Sequence, residues 1–183
     1  MGEGSWRGRA MRAMPARRLC SARRERRMRW LSATASAEID RPIETVWAFV
    51  TDLANMPHWV DGVSEPAFFS GAGSEPPAIG PGVPFTSRYT YAGRTHTMRY
   101  VVTAFEPPGR YALESTEGPY PVELTLRLDA APGGATTLAK TTRAGSDGPV
   151  TSAMFLLFGP LLRRLMRRQI AKELVRCKAA CEG

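Results

Sequence analysis

The sequence predicts an α+β domain: a curved antiparallel sheet of about seven strands around one long C-terminal helix, with two short helices after the first strand. Three observations predict it. Val122, Leu124, Leu126 and Leu128 alternate strictly with Glu123, Thr125, Arg127 and Asp129, the period of a strand with one buried and one wet face. Leu162, Leu165, Ile170, Leu174, Cys177 and Cys181 recur three to five residues apart, with Met166 alongside, the stripe of a helix that covers such a face. Turn signals at Asp61-Gly62, Ala92-Gly93, Pro107-Pro108-Gly109 and Pro132-Gly133-Gly134 cut the middle of the chain into strand-length pieces.

The elements follow in order. Residues 31–40 carry small and β-branched side chains that alternate towards Ile39, a strand. Asp40 is placed to cap a helix beginning near Pro42, with Ile43, Val46, Trp47 and Val50 at helical spacing and Phe49 beside them. A second short helix over 53–59 is broken by Pro57. Residues 63–70 form a strand, and the Gly- and Pro-rich stretch 71–82 a loop. Val83, Phe85, Ser87, Tyr89 and Tyr91 make one face of the next strand; strands at 94–106, 110–117 and 135–144 complete the sheet around 122–129. The last helix spans about 152–180, interrupted or kinked at Gly159-Pro160, because proline has no amide hydrogen to donate. Beyond Pro160 it extends for about 20 residues, or about 30 Å.

The 183 residues are 43% hydrophobic and 23% charged, enough apolar content for one folded domain. The longest apolar run, 153–162, is ten residues, half of what a membrane-spanning helix needs. The net charge of +8 lies entirely in residues 1–32, where ten Arg face Glu3 and Glu25; residues 33–183 are neutral overall. Residues 1–29 therefore read as a disordered Arg-rich extension or a misassigned start, with Met28 as the natural beginning, and residues 30–183 as the folded domain. No apolar stretch follows Arg17-Arg18, so a secretory signal does not fit. Nothing in the domain itself has the basic, aromatic-rich surface of a nucleic-acid binder.

Cys20, Cys177 and Cys181 have no framework spacing, which places the protein in a reducing compartment, the cytoplasm. Two thiols without further ligands, and only His58 and His96 elsewhere, give no metal site. There is no phosphate-binding glycine loop and no nucleophile elbow. No catalytic residue can be named, and no cofactor is expected.

The segment Ala37-Glu38-Ile39-Asp40-Arg41-Pro42-Ile43-Glu44-Thr45-Val46-Trp47, followed by Asp52-Leu53 and closing on Trp59, resembles the opening of the START/SRPBCC superfamily, in its polyketide cyclase/dehydrase-like branch. The resemblance extends over residues 31–182 through element order and length. It implies a helix-grip fold with a deep, mostly apolar cavity. Such proteins bind lipids, sterols, polyketides or plant hormones, and only some catalyse cyclisation or dehydration.

The expected function is thus binding or transport of a small hydrophobic or amphipathic molecule; a polyketide cyclase, aromatase or dehydratase is the alternative. Trp59, Phe85, Tyr89, Tyr91, His96, Met98, Tyr100, Leu126 and Leu162 are the candidate ligand-binding residues. His96 has three open readings: a satisfied interior histidine, a ligand contact, or a general acid–base. Arg163, Arg164, Arg167, Arg168 and Lys172 give the last helix a basic face, suited either to pairing with the acidic body or to weak contact with a membrane surface.

Overall fold

The computed structural model describes residues 28–69, 77–91, 93–146 and 149–183, the backbone alone over 149–154. The extension before Met28 lies outside the described residues. The order of elements is β1 (Arg29–Ile39), α1 (Ile43–Thr51), a 3-10 turn (Leu53–Asn55), α2 (Met56–Trp59), β2 (Val63–Phe68), β3 (Pro84–Tyr91), β4 (Arg94–Glu106), β5 (Arg110–Glu117), β6 (Val122–Ala130), a 3-10 turn (Pro132–Gly134), β7 (Thr136–Ser146) and α3 (Pro149–Glu182). The seven strands form one antiparallel sheet ordered β1-β7-β6-β5-β4-β3-β2. Apart from β1, every strand pairs with the next in sequence, and short connections join the strands from β3 to β7.

The period-two reading holds. Leu124, Leu126 and Leu128 are buried, and Leu126 faces Tyr111 while Leu128 faces Leu138. Register shifts between Arg99 and Tyr100 and between Val102 and Ala104 interrupt the β4–β5 ladder, and bulges of this kind bend a sheet. At the β2 edge, Pro66 and the positive φ of Glu65 accompany a further shift, which leaves that edge a poor template for another strand.

Helix α3 lies across β1 and β7 and against α1 and α2. Its inner face is Leu162, Met166, Ile170, Leu174, Cys177 and Cys181. Leu165, expected in that stripe, is exposed, because the four-residue steps from 162 to 174 put Met166 on the inside and turn Leu165 outward. The helix is not interrupted at Gly159-Pro160 either: α3 continues through Pro160. Proline there forgoes one hydrogen bond, to the carbonyl of Leu156, on a stretch that water reaches.

Asp40 does not cap α1. The helix starts after Pro42 without a side-chain cap. Instead the Asp40 amide donates to the Glu182 carboxylate, and the Thr136 hydroxyl donates to the Arg41 carbonyl. The β1–α1 corner is thereby tied to the end of α3 and to β7.

Candidate functional site

The cover of the sheet is built by the short helices as well as by α3. In α1, Val46, Trp47 and Val50 point inward, and Trp47 packs on Phe105 with ring centroids 5.2 Å apart. The chain then turns at Asp52, whose carboxylate accepts from the Ala54 amide, and α2 delivers Met56 and Trp59 to the core. Beneath them lies a cavity walled by Val50, Asp52, Leu53, Met56 and Trp59 from the cover and by Tyr111, Leu113, Leu124 and Leu126 from β5 and β6. Its volume is about 10 Å³, room for about one water. The deep cavity implied by the sequence resemblance is not formed by these residues, since large side chains fill the space.

Two walls of this cavity carry unpartnered polar atoms. Trp59 Nε1 and the Tyr111 hydroxyl are buried without a hydrogen-bond partner, in residues only 2% and 3% exposed. Burial holds the Tyr111 phenol protonated well beyond the usual tyrosine range. A buried donor without an acceptor costs about 1–3 kcal/mol, so both sites favour a guest that accepts a hydrogen bond.

Beside Trp59 lies an ion pair that the sequence reading missed. Lys140 Nζ is 2.6 Å from Glu173 Oε2, with side chains 3% and 8% exposed. The same ammonium stands 4.8 Å above the Trp59 ring, a cation–π distance. Glu173 Oε1 accepts from the Asp61 amide at 3.2 Å. The Asp61 carboxylate in turn accepts from Gln169 at 2.7 Å and from Arg176 at 2.8 Å. Those bonds hold its pKa below the usual carboxylate value, the Arg176 bond foremost. The segment after α2 is thus latched to α3. Lys140 was detectable as the inward position two residues after Leu138, and Glu173 as the charged member of the α3 stripe.

The remaining expected residues gather at the β3–β4 end of the concave face. Cross-strand partners there are Phe85 with Tyr100, Ser87 with Met98, and Tyr89 with His96. Phe85 stacks on Tyr100 at 5.0 Å, and Phe85 and Met98 are buried. Tyr89 and His96 are half-buried, as is Leu162 on α3. Tyr89 lies against the turn at Gly62, where a Cβ would meet its ring at 3.2 Å and the Thr90 carbonyl at 2.6 Å; the positive φ of 75° also requires glycine. Burial raises the pKa of Tyr89, with Tyr120 and then Glu173 adding to the effect, and pushes Tyr100 up to about 12 against a smaller opposing effect of the Ser87 hydroxyl. Tyr91 does not join the interior. It shares the parity of Tyr89 and stacks parallel to it at 6.4 Å, but β3 outruns its cover there and leaves Tyr91 62% exposed.

Of the expected residues, Trp59 and Leu126 line the small cavity, Phe85, Tyr89, His96, Met98 and Tyr100 lie on the paired strands β3 and β4, Leu162 stands on α3, and Tyr91 is exposed. The ion pair lies against the Trp59 ring, and the charge of Glu173 adds to the raised pKa of Tyr89. Sequence reasoning missed Tyr111 and Tyr120. The signal for Tyr111 was its alternation with Leu113 on β5; Tyr120 sits between strands and carried none. Among the described residues, no three His, Cys, Asp or Glu side chains converge as metal ligands, and no helix is long and apolar enough to cross a membrane.

A seven-stranded antiparallel sheet gripping one long C-terminal helix, with short helices completing the cover, defines a helix-grip domain of the START type. Residues 31–182 match the family described as "Polyketide cyclase / dehydrase and lipid transport", and the chain belongs to it. Similar solved structures include a START superfamily protein from Mycobacterium smegmatis, 12% identical with a TM-score of 0.64, covering 82% of this chain and 97% of that one. The Zhui aromatase/cyclase from a Streptomyces species is 15% identical with a TM-score of 0.63, covering 85% and 94%. A protein from Thermus thermophilus is 16% identical with a TM-score of 0.63, covering 82% and 96%. At these identities the likeness is one of fold. No curated protein matches the sequence.

Proposed function

We propose that the protein binds a small, mainly apolar molecule bearing a hydrogen-bond acceptor, such as a carbonyl, between the α1–α2 cover and strands β5 and β6. The observation that carries this reading is the pair of buried, unpartnered donors, Trp59 Nε1 and the Tyr111 hydroxyl, in the wall of a cavity whose other lining residues, Asp52 aside, are apolar. A guest larger than a water has to displace the cover. Leu53 and Met56 are the side chains to move, because they stand on a 3-10 turn and a four-residue helix rather than on the sheet. The test is equilibrium titration with a fluorescent apolar ketone and with a hydrocarbon probe of matched size. Saturable one-site binding of the ketone is expected, weakened about fivefold to tenfold by Tyr111→Phe or Trp59→Phe, with the hydrocarbon little affected. Absence of saturable binding by the wild type refutes the proposal.

A second reading is cyclisation or dehydration of a poly-β-keto chain. It is supported by the phenols of Tyr89, Tyr100 and Tyr120, held protonated by burial, and by His96 directly across the strands from Tyr89. Protonated phenols donate to the carbonyl oxygen on which negative charge develops in an aldol closure. Loss of turnover in His96→Ala with unchanged substrate binding supports this enzyme; no turnover of any poly-β-keto substrate by the wild type excludes it.

A further inference from the structure

The N-terminal half of α3 exposes a large apolar surface for a helix packed on a sheet. Leu156, Leu157, Phe158, Leu161 and Leu165 are each between 50% and 74% exposed. Leu157, Leu161 and Leu165 stand four apart and so form one outward stripe. Arg164, Arg168 and Lys172, also four apart, form a second stripe alongside, because Arg164 and Arg168 lie three residues beyond Leu161 and Leu165. Arg163 and Arg167 flank it. From residue 149 to residue 172 there are five basic side chains and no acidic one. The first acidic residue, Glu173, is buried against Lys140 and neutralises none of them.

We infer that this face of α3 docks on an anionic lipid surface, the leucines and Phe158 entering the boundary between headgroups and acyl chains and the arginines pairing with lipid phosphates. The charge decides between occupants. A second copy of the chain packed symmetrically on this face would bring five like charges against these five. The segment 1–27, with nine Arg against Glu3 and Glu25, would be repelled in the same way. A negatively charged bilayer satisfies both stripes at once: the apolar one by burial, the basic one by attraction worth about fivefold in binding per side chain. The apolar residues also protrude from a single helix rather than lining a groove, which suits a deformable surface better than a folded acidic partner. This inference does not depend on the proposed ligand cavity.

Flotation of the full chain with vesicles of phosphatidylcholine alone, and with one lipid in three replaced by phosphatidylglycerol, tests it. Binding is expected to the anionic vesicles, weaker at high salt, and absent with phosphatidylcholine alone. Arg164→Gln with Arg168→Gln is expected to lower the partition coefficient about 25-fold. Leu161→Gln with Leu165→Gln, at positions already half exposed, is expected to abolish binding at high salt while leaving the melting temperature unchanged. Arg127→Gln, exposed on the opposite face of the sheet, is expected to have no effect. The inference is overturned if the wild type ignores anionic vesicles, or if either double variant binds as the wild type does. It is equally overturned if the wild type self-associates and the leucine variant dissociates it, or if an acidic polypeptide displaces the protein from vesicles without the leucines contributing.

Discussion

Replacing Lys140 by Met leaves the Glu173 carboxylate buried without its partner, and the structure sets the size of the effect. The pair is close, at 2.6 Å, and both side chains are more than nine-tenths buried. Glu173 keeps only one further bond, from the Asp61 amide. Removing one member of such a pair costs about 3–5 kcal/mol, since the remaining charge has lost its water and its counterion. The thioether of Met over the Trp59 ring replaces part of the lost cation–π contact, so the lower end of that range, about 3 kcal/mol, is expected. Glu173→Gln alone strands the ammonium instead and is expected to be similarly damaging. The double variant removes both charges while keeping an oxygen for the Asp61 amide, and should return to within about 2 kcal/mol of the wild type. Urea unfolding at neutral pH measures all four proteins, and the coupling energy follows from the cycle. If the two single losses simply add in the double variant, or if Lys140→Met loses less than about 1 kcal/mol, the pair is not the buried unit described here.

Two further outcomes test the register and the interior. Leu126→Asp should destabilise the domain by several kcal/mol and Arg127→Asp hardly at all, because Leu126 is fully buried and Arg127 faces water; equal melting curves would put the β6 register in error. Tyr89, Tyr100, Tyr111 and Tyr120 are held protonated by burial, so an absorbance titration should show these four of the five tyrosines resisting ionisation at their ordinary pKa. A pKa raised on folding contributes stability that is complete below about 10 and lost as pH rises, for Tyr100 through about 12. Unfolding and tyrosine ionisation should therefore coincide above that onset, and early ionisation of all five would contradict the burial.

The sheet was legible because period-two alternation records one buried face directly, as Leu124, Leu126 and Leu128 show. The opening motif to Trp59 was legible through its resemblance to a family with the same fold. The inner face of α3 was only partly so: adjacent Leu165 and Met166 both satisfy an apolar stripe within one residue, and only the packed helix decides which turns inward. The Lys140–Glu173 pair bridges residues 33 apart, and each charge read alone suggests water, not a partner. Cavity volume is the least legible quantity of all. It is the small difference between the space enclosed by the grip and the summed volumes of Val50, Met56, Trp59, Tyr111 and Leu126, which arrive from three separate parts of the chain.

The closed cavity and the proposed binding are compatible only if the cover opens, and the structure names what holds it shut. Asp61 lies two residues beyond the end of α2, and its carboxylate bonds Gln169 and Arg176 on α3, while its amide bonds Glu173. Asp61→Asn weakens the two side-chain bonds and leaves the amide bond in place. Because Asp61 and Arg176 are each about half exposed, the stability loss should be under about 1 kcal/mol. The rate of ligand association should rise by a larger factor than the equilibrium constant changes, since the latch holds the closed state and touches no ligand. Acid should imitate the substitution. The lowered pKa of Asp61 means that its contribution is present above the ordinary carboxylate value and is lost as pH falls through the folded value. Stopped-flow mixing of the ketone probe with both proteins measures this directly. Identical association rates in the wild type and Asp61→Asn would show that the α2–α3 latch does not govern entry, and a different part of the cover would have to move.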